Sequence, residues 1–299
     1  MTQPEPLRFA GAGVTLAADA LGPADGLPLL FLHGSGQTRQ SWGKALTEAA
    51  ARGHRAISLD LRGHGDSDWS PDGHYAMPVF AEDLRAVLAG LKAPPIVIGA
   101  SLGGLVAMLV AAASPGLIRA LVLVDITARV EMEGAREVID FMGSAEAGFA
   151  SLEEAADAVA AYLPHRARPK DTSGLARNLR LRNGRWYWHW DPAFQRMGEG
   201  AAEQASGPNP LEQAARKLTL PVLLIRGGRS RIVSDEGARE FLAMVPQADY
   251  VDIAGAHHMV AGDANDAFNA AVFEFVARQA GEAQHPPPEG EGDHEVVEG

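Results

Sequence analysis

Short apolar runs alternate along the chain with longer segments in which apolar residues recur about every 3.6 positions. The runs are almost free of polar residues, which is typical of strands buried on both faces in a parallel sheet. They lie at residues 28–34, 55–60, 95–100, 120–126, 221–227 and 249–255. The periodic segments predict helices near residues 41–51, 77–91, 102–113, 235–245 and 264–280. Because strands and helices alternate, the pattern predicts an α/β fold with a mostly parallel central sheet flanked by helices. An antiparallel hairpin over residues 7–20 is expected at one edge of that sheet.

A long interval after the fourth of these runs breaks the alternation, because none of it has the character of a buried strand. Residues 130–143 and 151–164 both have helical periodicity instead. We therefore predict a helical cap over residues 127–217. The cap is inserted into a core that consists of residues 1–126 and 218–280.

Composition limits the classes of partner and the cellular compartment. The 299 residues include no cysteine, which removes disulfides, thiol catalysis and the commonest zinc sites and predicts a cytoplasmic protein. The start of the chain has neither the basic nor the apolar region of a signal peptide, and no apolar stretch is long enough to span a membrane. The formal charge of −12 disfavours nucleic acid as a partner. No particular oligomeric state is predicted.

Half of that negative charge lies in the last segment, residues 281–299, which reads GEAQHPPPEGEGDHEVVEG. A mixture of Pro, Gly and Glu cannot bury enough apolar surface to become ordered. We predict a disordered acidic tail.

A serine among small residues, in the stretch GASLGG (99–104), is the first candidate for chemistry. Gly99, Ser101 and Gly103 have the G-x-S-x-G spacing of a nucleophile elbow, in which a strand turns sharply into a helix. The stretch follows a predicted strand and precedes a predicted helix. The context favours Ser101 as a nucleophile rather than as a residue of an ordinary turn.

A serine hydroxyl needs a base to take its proton, and an adjacent histidine pair lies after the last predicted strand, in GAHHMVAGD (255–263). His257 and His258 are both candidates for the base. The spacing of further ligands around them does not indicate a metal site, so we expect none.

Catalysis at an ester carbonyl also needs hydrogen-bond donors for the developing oxyanion, and backbone N–H groups are already fixed in place. The stretch HGSGQT (33–38) follows the first apolar run, and Gly34 lets this loop pass close to the substrate. We predict that the N–H of Ser35 and the N–H of Leu102, at the start of the next helix, form the oxyanion hole.

Taken in order, the motifs HGSG, DLRGHGDS (60–67), GASLGG and GAHHM resemble those of the α/β-hydrolase superfamily. The resemblance covers about residues 28–280 and is strongest to capped serine esterases and cofactor-free haloperoxidase-like members. It implies an α/β-hydrolase fold, a Ser-His-acid triad, an oxyanion hole and no cofactor. In the corresponding family loops the catalytic histidine follows a glycine, so the resemblance assigns the base to His258 and places His257 at the glycine position.

The carboxylate of the triad is not where this family usually keeps it. After the run PVLLIRG, Arg231 stands at the position where an aspartate is expected, and an arginine only donates hydrogen bonds. Two substitutes are open. Asp125 ends the strand beside that of the nucleophile and is favoured, since a carboxylate there needs a partner. Asp235 is the alternative, although its position is that of a residue in the first turn of a helix.

Two further groups have a structural interpretation. Asp60, Arg62 and His64 of the DLRGHG motif are expected to hold their loop by hydrogen bonds. In the cap, the alternating Trp186, Trp188 and Trp190 are expected on one face of an extended segment, where they fill the cap core or line a pocket. The same segment contains a basic cluster, for which we favour a solvated face: Arg166, Arg168, Lys170, Arg177, Arg180, Arg182 and Arg185.

These features predict an enzyme that hydrolyses carboxylic esters of small molecules through an acyl-enzyme on Ser101. Lactone hydrolysis and perhydrolysis would use the same residues. A non-catalytic homologue that only binds ligand is the alternative from a different class, motivated by Arg231 at the usual acid position.

Overall fold

A computed structural model of the protein describes residues 3–168, 170–197 and 209–282. Its strands, in chain order, are β1 (Glu5–Ala10), β2 (Thr15–Leu21), β3 (Pro28–Leu32), β4 (Arg55–Leu59), β5 (Ile96–Ala100), β6 (Ala120–Val124), β7 (Leu179–Arg182), β8 (Arg185–Trp188), β9 (Val222–Gly227) and β10 (Ala248–Ile253). Its α-helices are α1 (Gly43–Ala51), α2 (Met77–Ala89), α3 (Leu102–Ala113), α4 (Met132–Gly143), α5 (Leu152–Tyr162), α6 (Pro210–Arg216), α7 (Asp235–Met244), α8 (Val260–Asp263) and α9 (Asn265–Glu282).

Eight of the strands form one sheet in the order β1-β2-β4-β3-β5-β6-β9-β10. The β1–β2 and β2–β4 pairs are antiparallel, and every later pair is parallel. The predicted α/β-hydrolase fold, with its edge hairpin, is confirmed. Parallel pairing also brings the carboxyl ends of β3, β5, β6 and β9 to the same edge of the sheet, where ligands bind in folds of this kind.

Helices cover both faces of the sheet with apolar stripes. On one face, α1 and α9 pack through residues such as Leu46, Phe268 and Val272. On the other face, α2, α3, α6 and α7 pack through residues such as Leu84 and Phe241. The β5 and β6 strands lie between these two layers and are almost wholly buried, which is why their sequences are apolar runs rather than alternating patterns.

The segment between β6 and β9 contains α4, α5, the hairpin β7–β8 and α6. The expectation of a wholly helical cap is wrong here, because β7 and β8 pair as an antiparallel two-stranded sheet. Their two-residue turn is Asn183-Gly184, with φ of 49° and 76°. Positive φ at both positions is the geometry of a type I′ turn, for which Asn-Gly is strongly preferred. The turn dipeptide, rather than hydrophobic periodicity, is the signal that identifies this hairpin.

The predicted tail is only partly described. Residues 281 and 282, which the prediction assigned to the tail, belong to α9. Residues 283–299 lie outside the described residues. In the part of the chain that is described, no helix combines the length and the hydrophobicity needed to cross a bilayer.

Candidate active site

Ser101 occupies a strained backbone position between β5 and α3. Its φ of 45° and ψ of −117° are rare for a residue with a side chain, and such strain persists where the surrounding structure fixes it. The helix that follows packs so closely on β3 that a Cβ at Gly103 would lie 2.6 Å from Cβ of Leu32. The glycine spacing around Ser101 therefore has a steric cause, and it presents the serine side chain at the end of the strand.

The imidazole of His258 is paired with the carboxylate of Asp125. Nδ1 of His258 lies 2.7 Å from Oδ2 of Asp125, and the aspartate side chain is fully buried. His258 stands on the loop after β10, and Asp125 is the residue directly after β6. The structure thus brings together two of the residues singled out from the sequence.

The buried Asp125 carboxylate is compensated by hydrogen bonds. Its Oδ1 accepts the backbone N–H of Gly227 at 2.9 Å, and its Oδ2 accepts the hydroxyl of Ser230. Asp125 also has a positive φ of 50°, which turns its side chain away from the strand direction. Ser230 was not singled out from the sequence. Together these donors offset the cost of burying a charge.

Asp235, the alternative acid, and Arg231, which stands at the usual acid position, both pair with other residues. Asp235 begins α7, its side chain is 75% exposed, and its carboxylate lies 2.7 Å from the guanidinium of Arg226. Arg231 pairs with Glu133 and Glu137 on α4. The geometry therefore places Asp125, and not Asp235, against His258.

Ser101 and His258 line the same cavity, of about 370 Å³, under the cap segment. Among the described residues there is no hydrogen bond between the Ser101 hydroxyl and the His258 ring, a contact that is often long in enzymes without substrate. Trp188 and Trp190 close the cavity from the cap side; they are buried, and their rings stack with centroids 4.8 Å apart. The tryptophan segment thus both fills the cap core and lines a pocket.

The two predicted oxyanion donors lie beside Ser101. Ser35, Ser101 and Leu102 together line a second cavity, of about 180 Å³. A Cβ at Gly34 would lie 3.1 Å from Cβ of Ser101, so the loop after β3 passes directly against the serine. The neighbouring N–H of Gly103 is already bound to the carbonyl of His33 at 3.2 Å.

Three buried histidines lie beside the loop that carries Ser35 and the loop of the DLRGHG motif. His33, His64 and His189 form a row with ring centroids 5.1 Å and 5.9 Å apart. Burial disfavours the charged ring and lowers the pKa of His33 to about 4 and that of His64 to about 3. Burial likewise lowers the pKa of His189 well below its ordinary value. All three rings are neutral at pH 7, so their acceptor nitrogens can take N–H groups.

Those acceptor nitrogens bind backbone N–H groups of two loops, the loop that carries Ser35 and the loop of the DLRGHG motif. Nε2 of His64 accepts the N–H of Gly36 at 3.2 Å, and Nε2 of His33 accepts the N–H of Leu61 at 3.0 Å. Nδ1 of His189 accepts the N–H of Gly65 at 2.8 Å. His33 and His189 were not singled out from the sequence. His33 directly precedes the GSG stretch, which is the only local signal for it.

The DLRGHG motif makes the hydrogen bonds that its structural interpretation predicts. The buried Asp60 carboxylate accepts the N–H of Arg39 at 2.6 Å and that of Asp66 at 2.9 Å. The buried guanidinium of Arg62 forms two hydrogen bonds, of 2.5 Å and 2.6 Å, with Asp83. These hydrogen bonds therefore hold the loops around the site in place.

His257 belongs to a separate cluster beside the site. Its ring stacks on that of His165 with centroids 3.7 Å apart, and its N–H is bound to Oδ2 of Asp263 at 3.0 Å. The ligand atoms of these three residues lie within 4.8 Å of one another, a grouping that sequence spacing did not indicate. However, Oδ1 of Asp263 lies 2.5 Å from the guanidinium of Arg166, and this positive charge disfavours a metal cation at the same oxygen.

Most of the predicted basic cluster in the cap has structural partners. Arg168 pairs with Asp157, and Arg180 pairs with Asp66. Arg182 lies over the ring of Trp69, 4.9 Å from its centroid. Together with the Arg166–Asp263 pair, these contacts give most of the cluster partners within the protein, and Arg166 also lines the cavity of Ser101 and His258.

Comparison with known proteins places this geometry in context. The family model described as "Alpha/beta hydrolase family" matches residues 29–271. The chain is 36% identical over 219 residues to esterase Rv0045c of Mycobacterium tuberculosis, which covers 71% of this chain and 70% of the esterase.

Solved structures show the same architecture. A crystal structure of esterase Rv0045c matches with a TM-score of 0.74 and 29% identity, covering 93% of both chains. The crystal structure of E-2-(acetamidomethylene)succinate hydrolase matches with a TM-score of 0.81 over 92% of this chain and 99% of that one. At 24% identity, the second likeness concerns the fold alone.

Proposed function

This chain belongs to the α/β hydrolase family, and from that membership and the geometry around Ser101 we propose that it hydrolyses carboxylic esters through an acyl-enzyme intermediate. Its relatives include a protein named as an esterase, which supports a hydrolase. The assignment to esters and the roles of individual residues are the proposal.

Acylation begins when the Ser101 hydroxyl oxygen attacks the ester carbonyl carbon, while Nε2 of His258 takes the hydroxyl proton. Asp125 keeps the His258 proton on Nδ1 and stabilises the imidazolium that forms, since its carboxylate lies 2.7 Å from that nitrogen. The N–H groups of Ser35 and Leu102 donate to the oxyanion. The tetrahedral intermediate then collapses, the C–O bond to the alcohol breaks, and His258 gives its proton to the departing oxygen.

Deacylation repeats these steps with water as the nucleophile. His258 takes a proton from the water as its oxygen attacks the acyl carbon, and then returns that proton to the Ser101 oxygen when the acid leaves. No other reagent is required, so the described side chains and two backbone donors account for the whole cycle.

The observation that carries this proposal is the pairing of the fully buried Asp125 with His258, which lines a cavity together with the strained Ser101. A buried carboxylate held on Nδ1 of a partly exposed histidine is the arrangement that makes the opposite nitrogen a base. A purely ligand-binding homologue has no need of it.

A serine-directed fluorophosphonate probe tests the proposal. We expect stoichiometric labelling of Ser101, identified by mass spectrometry, and loss of p-nitrophenyl ester hydrolysis in proportion to labelling. Ser101→Ala is expected to lose at least about 10³-fold in kcat. Absence of labelling together with no ester hydrolysis above background in the native protein would favour the ligand-binding alternative, whereas unchanged hydrolysis in Ser101→Ala would refute the role of Ser101.

A further inference from the structure

Ser101 lines two cavities, and they differ in whether His258 is also among the described lining residues. The cavity of about 370 Å³ contains His258 as well as Ser101 and Ser35. The cavity of about 180 Å³ contains Ser101, Ser35 and Leu102, whereas His258 is not among its described lining residues. The base therefore faces only one of the two spaces next to the nucleophile.

We propose that the smaller cavity binds the acyl group of the ester and that the larger cavity binds the alcohol. This assignment rests on the proposed function. The departing oxygen receives its proton from His258, so the alcohol has to lie on the side of His258. The carbonyl oxygen is directed to the N–H groups of Ser35 and Leu102. The remaining substituent of the carbonyl carbon, the acyl chain, is then directed away from His258 into the smaller cavity.

The lining of the acyl cavity defines the chemical class of the acyl group. Apart from the residues around Ser101, its walls are apolar, and they include Met77, Leu105, Ile126, Val130, Phe194 and Met197. Gln195 adds an amide, but its Nε2 already donates to the carbonyl of Met142 at 3.0 Å. No charged side chain is among the described lining residues. The cavity thus favours an unsubstituted hydrocarbon chain and disfavours an acyl group that carries a carboxylate.

The volume limits the length of that chain. An apolar cavity of roughly 150 Å³ binds benzene, a ring of six carbons. The acyl cavity is slightly larger, at about 180 Å³, so it fits a chain of about six to eight carbons.

The alcohol side is far less restricted. The larger cavity shares His258, Met259 and Tyr162 with a third cavity of about 860 Å³ between α4 and α5. A bulky alcohol can therefore extend from Ser101 past His258 into this space. The expected substrates are esters of a medium-length fatty acyl group, including esters of bulky alcohols.

Variants at two positions test the acyl cavity and the larger cavity separately. Leu105 lines the acyl cavity alone, and Leu175 lines the larger cavity alone. For p-nitrophenyl esters of two to sixteen carbons, we expect kcat/KM of the natural sequence to be highest at about six to eight carbons. Leu105→Trp is expected to move this maximum to four carbons or fewer, with at least about a tenfold loss for the octanoate relative to the acetate. Leu105→Ala is expected to move it to longer chains. Leu175→Trp is expected to keep the chain-length maximum but to lower kcat/KM for naphthyl octanoate relative to methyl octanoate.

The opposite pattern overturns the assignment: a chain-length maximum that moves in Leu175→Trp and stays in both Leu105 variants. The Leu105→Ala variant maintains the test if Leu105→Trp does not fold, because it only removes atoms from the wall. The proposed function fails in a different way, since then the natural sequence hydrolyses none of the esters. Hydrolysis with a profile that is indifferent to Leu105 refutes the acyl assignment alone.

Discussion

Nδ1 of His258 lies 2.7 Å from Oδ2 of Asp125, although the two residues are 133 positions apart in the chain. The contact forms because β6 and the loop after β10 end at the same edge of the sheet, on either side of β9. It joins a fully buried carboxylate to a histidine that is 23% exposed and can therefore meet a substrate. Four predictions follow from this pair and its surroundings.

Asp125→Asn removes the negative charge from the partner of His258 while keeping the shape of the side chain. We expect kcat to fall by about 10⁴-fold, because the imidazolium loses its counter-charge and the ring can take the wrong tautomer. Steady-state hydrolysis of a p-nitrophenyl ester measures it. Asp235→Asn is the matched control, with a change of less than about twofold expected, since Asp235 is exposed and paired with Arg226. A loss of orders of magnitude in Asp235→Asn alone would mean that the acid has been misassigned.

Ser230→Ala removes the hydroxyl that donates to Oδ2 of Asp125. A hydrogen bond to a charged group contributes about 1.5–3 kcal/mol, so we expect kcat to fall by about tenfold, with the fold retained. Ser234→Ala is the control in the same loop, because the Ser234 hydroxyl accepts the N–H of Gly237 at the start of α7 and donates to Oε1 of Glu131, and not to Asp125. It is expected to lose about 1 kcal/mol of unfolding free energy and no activity. Equal kcat values for the two variants would contradict the role of Ser230.

Asp263→Asn weakens the attachment of the loop that carries His258. Burial raises the pKa of Asp263, but the hydrogen bond and positive charge of Arg166, together with the N–H of His257, outweigh it and hold the pKa below its ordinary value. With that pair weakened, we expect kcat/KM to fall by roughly five- to twentyfold and Tm to decrease by several degrees. Arg168→Ala, which breaks an exposed pair with Asp157, is expected to change neither. Thermal melts and ester kinetics measure Tm and kcat/KM of both variants. An equally large effect in Arg168→Ala would contradict a specific role of Asp263.

The buried histidines predict a loss of stability in acid. The pKa values of His33 and His64 are lowered to about 4 and about 3, below about 6.5 for a histidine in the unfolded chain. Below pH 6.5 the unfolded chain therefore binds protons that the folded chain does not. Stability from these groups is complete above pH 6.5 and declines as the pH falls toward 4 and then 3. The urea concentration at the denaturation midpoint is expected to decrease as the pH is lowered from 7 to 4.

Two variants test whether His64 contributes to that decline in stability. His64→Asn is expected to be less stable at pH 7 but to show a shallower dependence on pH, because one of the buried groups no longer titrates. His74→Gln changes an exposed ring and is expected to keep the full slope. Identical slopes in the natural sequence and His64→Asn would show that other groups cause the acid sensitivity.

The sequence by itself determined the sheet, its order of strands and helices, and the position of Ser101. These features depend on local physics: apolar runs form buried strands, and a helix with apolar periodicity covers them. The predicted helix over 102–113 coincides with α3, and G-x-S-x-G is tied to a close backbone contact that only glycine allows. Sequence reasoning expected an extended segment at Trp186 and Trp188 but missed its pairing with β7, because the short hairpin depends on the Asn183-Gly184 turn more than on hydrophobic pattern.

Only the tertiary structure decided which carboxylate meets His258 and what surrounds it. The sequence favoured Asp125 over Asp235, but both acids stand near strand ends, and contact with a histidine on a distant loop is not a local property of the chain. The choice depends on strand order and on the path of the loops. These carry Asp125 to His258 and Ser230 to Asp125, while α7 directs Asp235 toward solvent and Arg226. The row of His33, His64 and His189 likewise joins distant segments, because hydrogen bonds across the fold are set by three-dimensional proximity and not by sequence spacing.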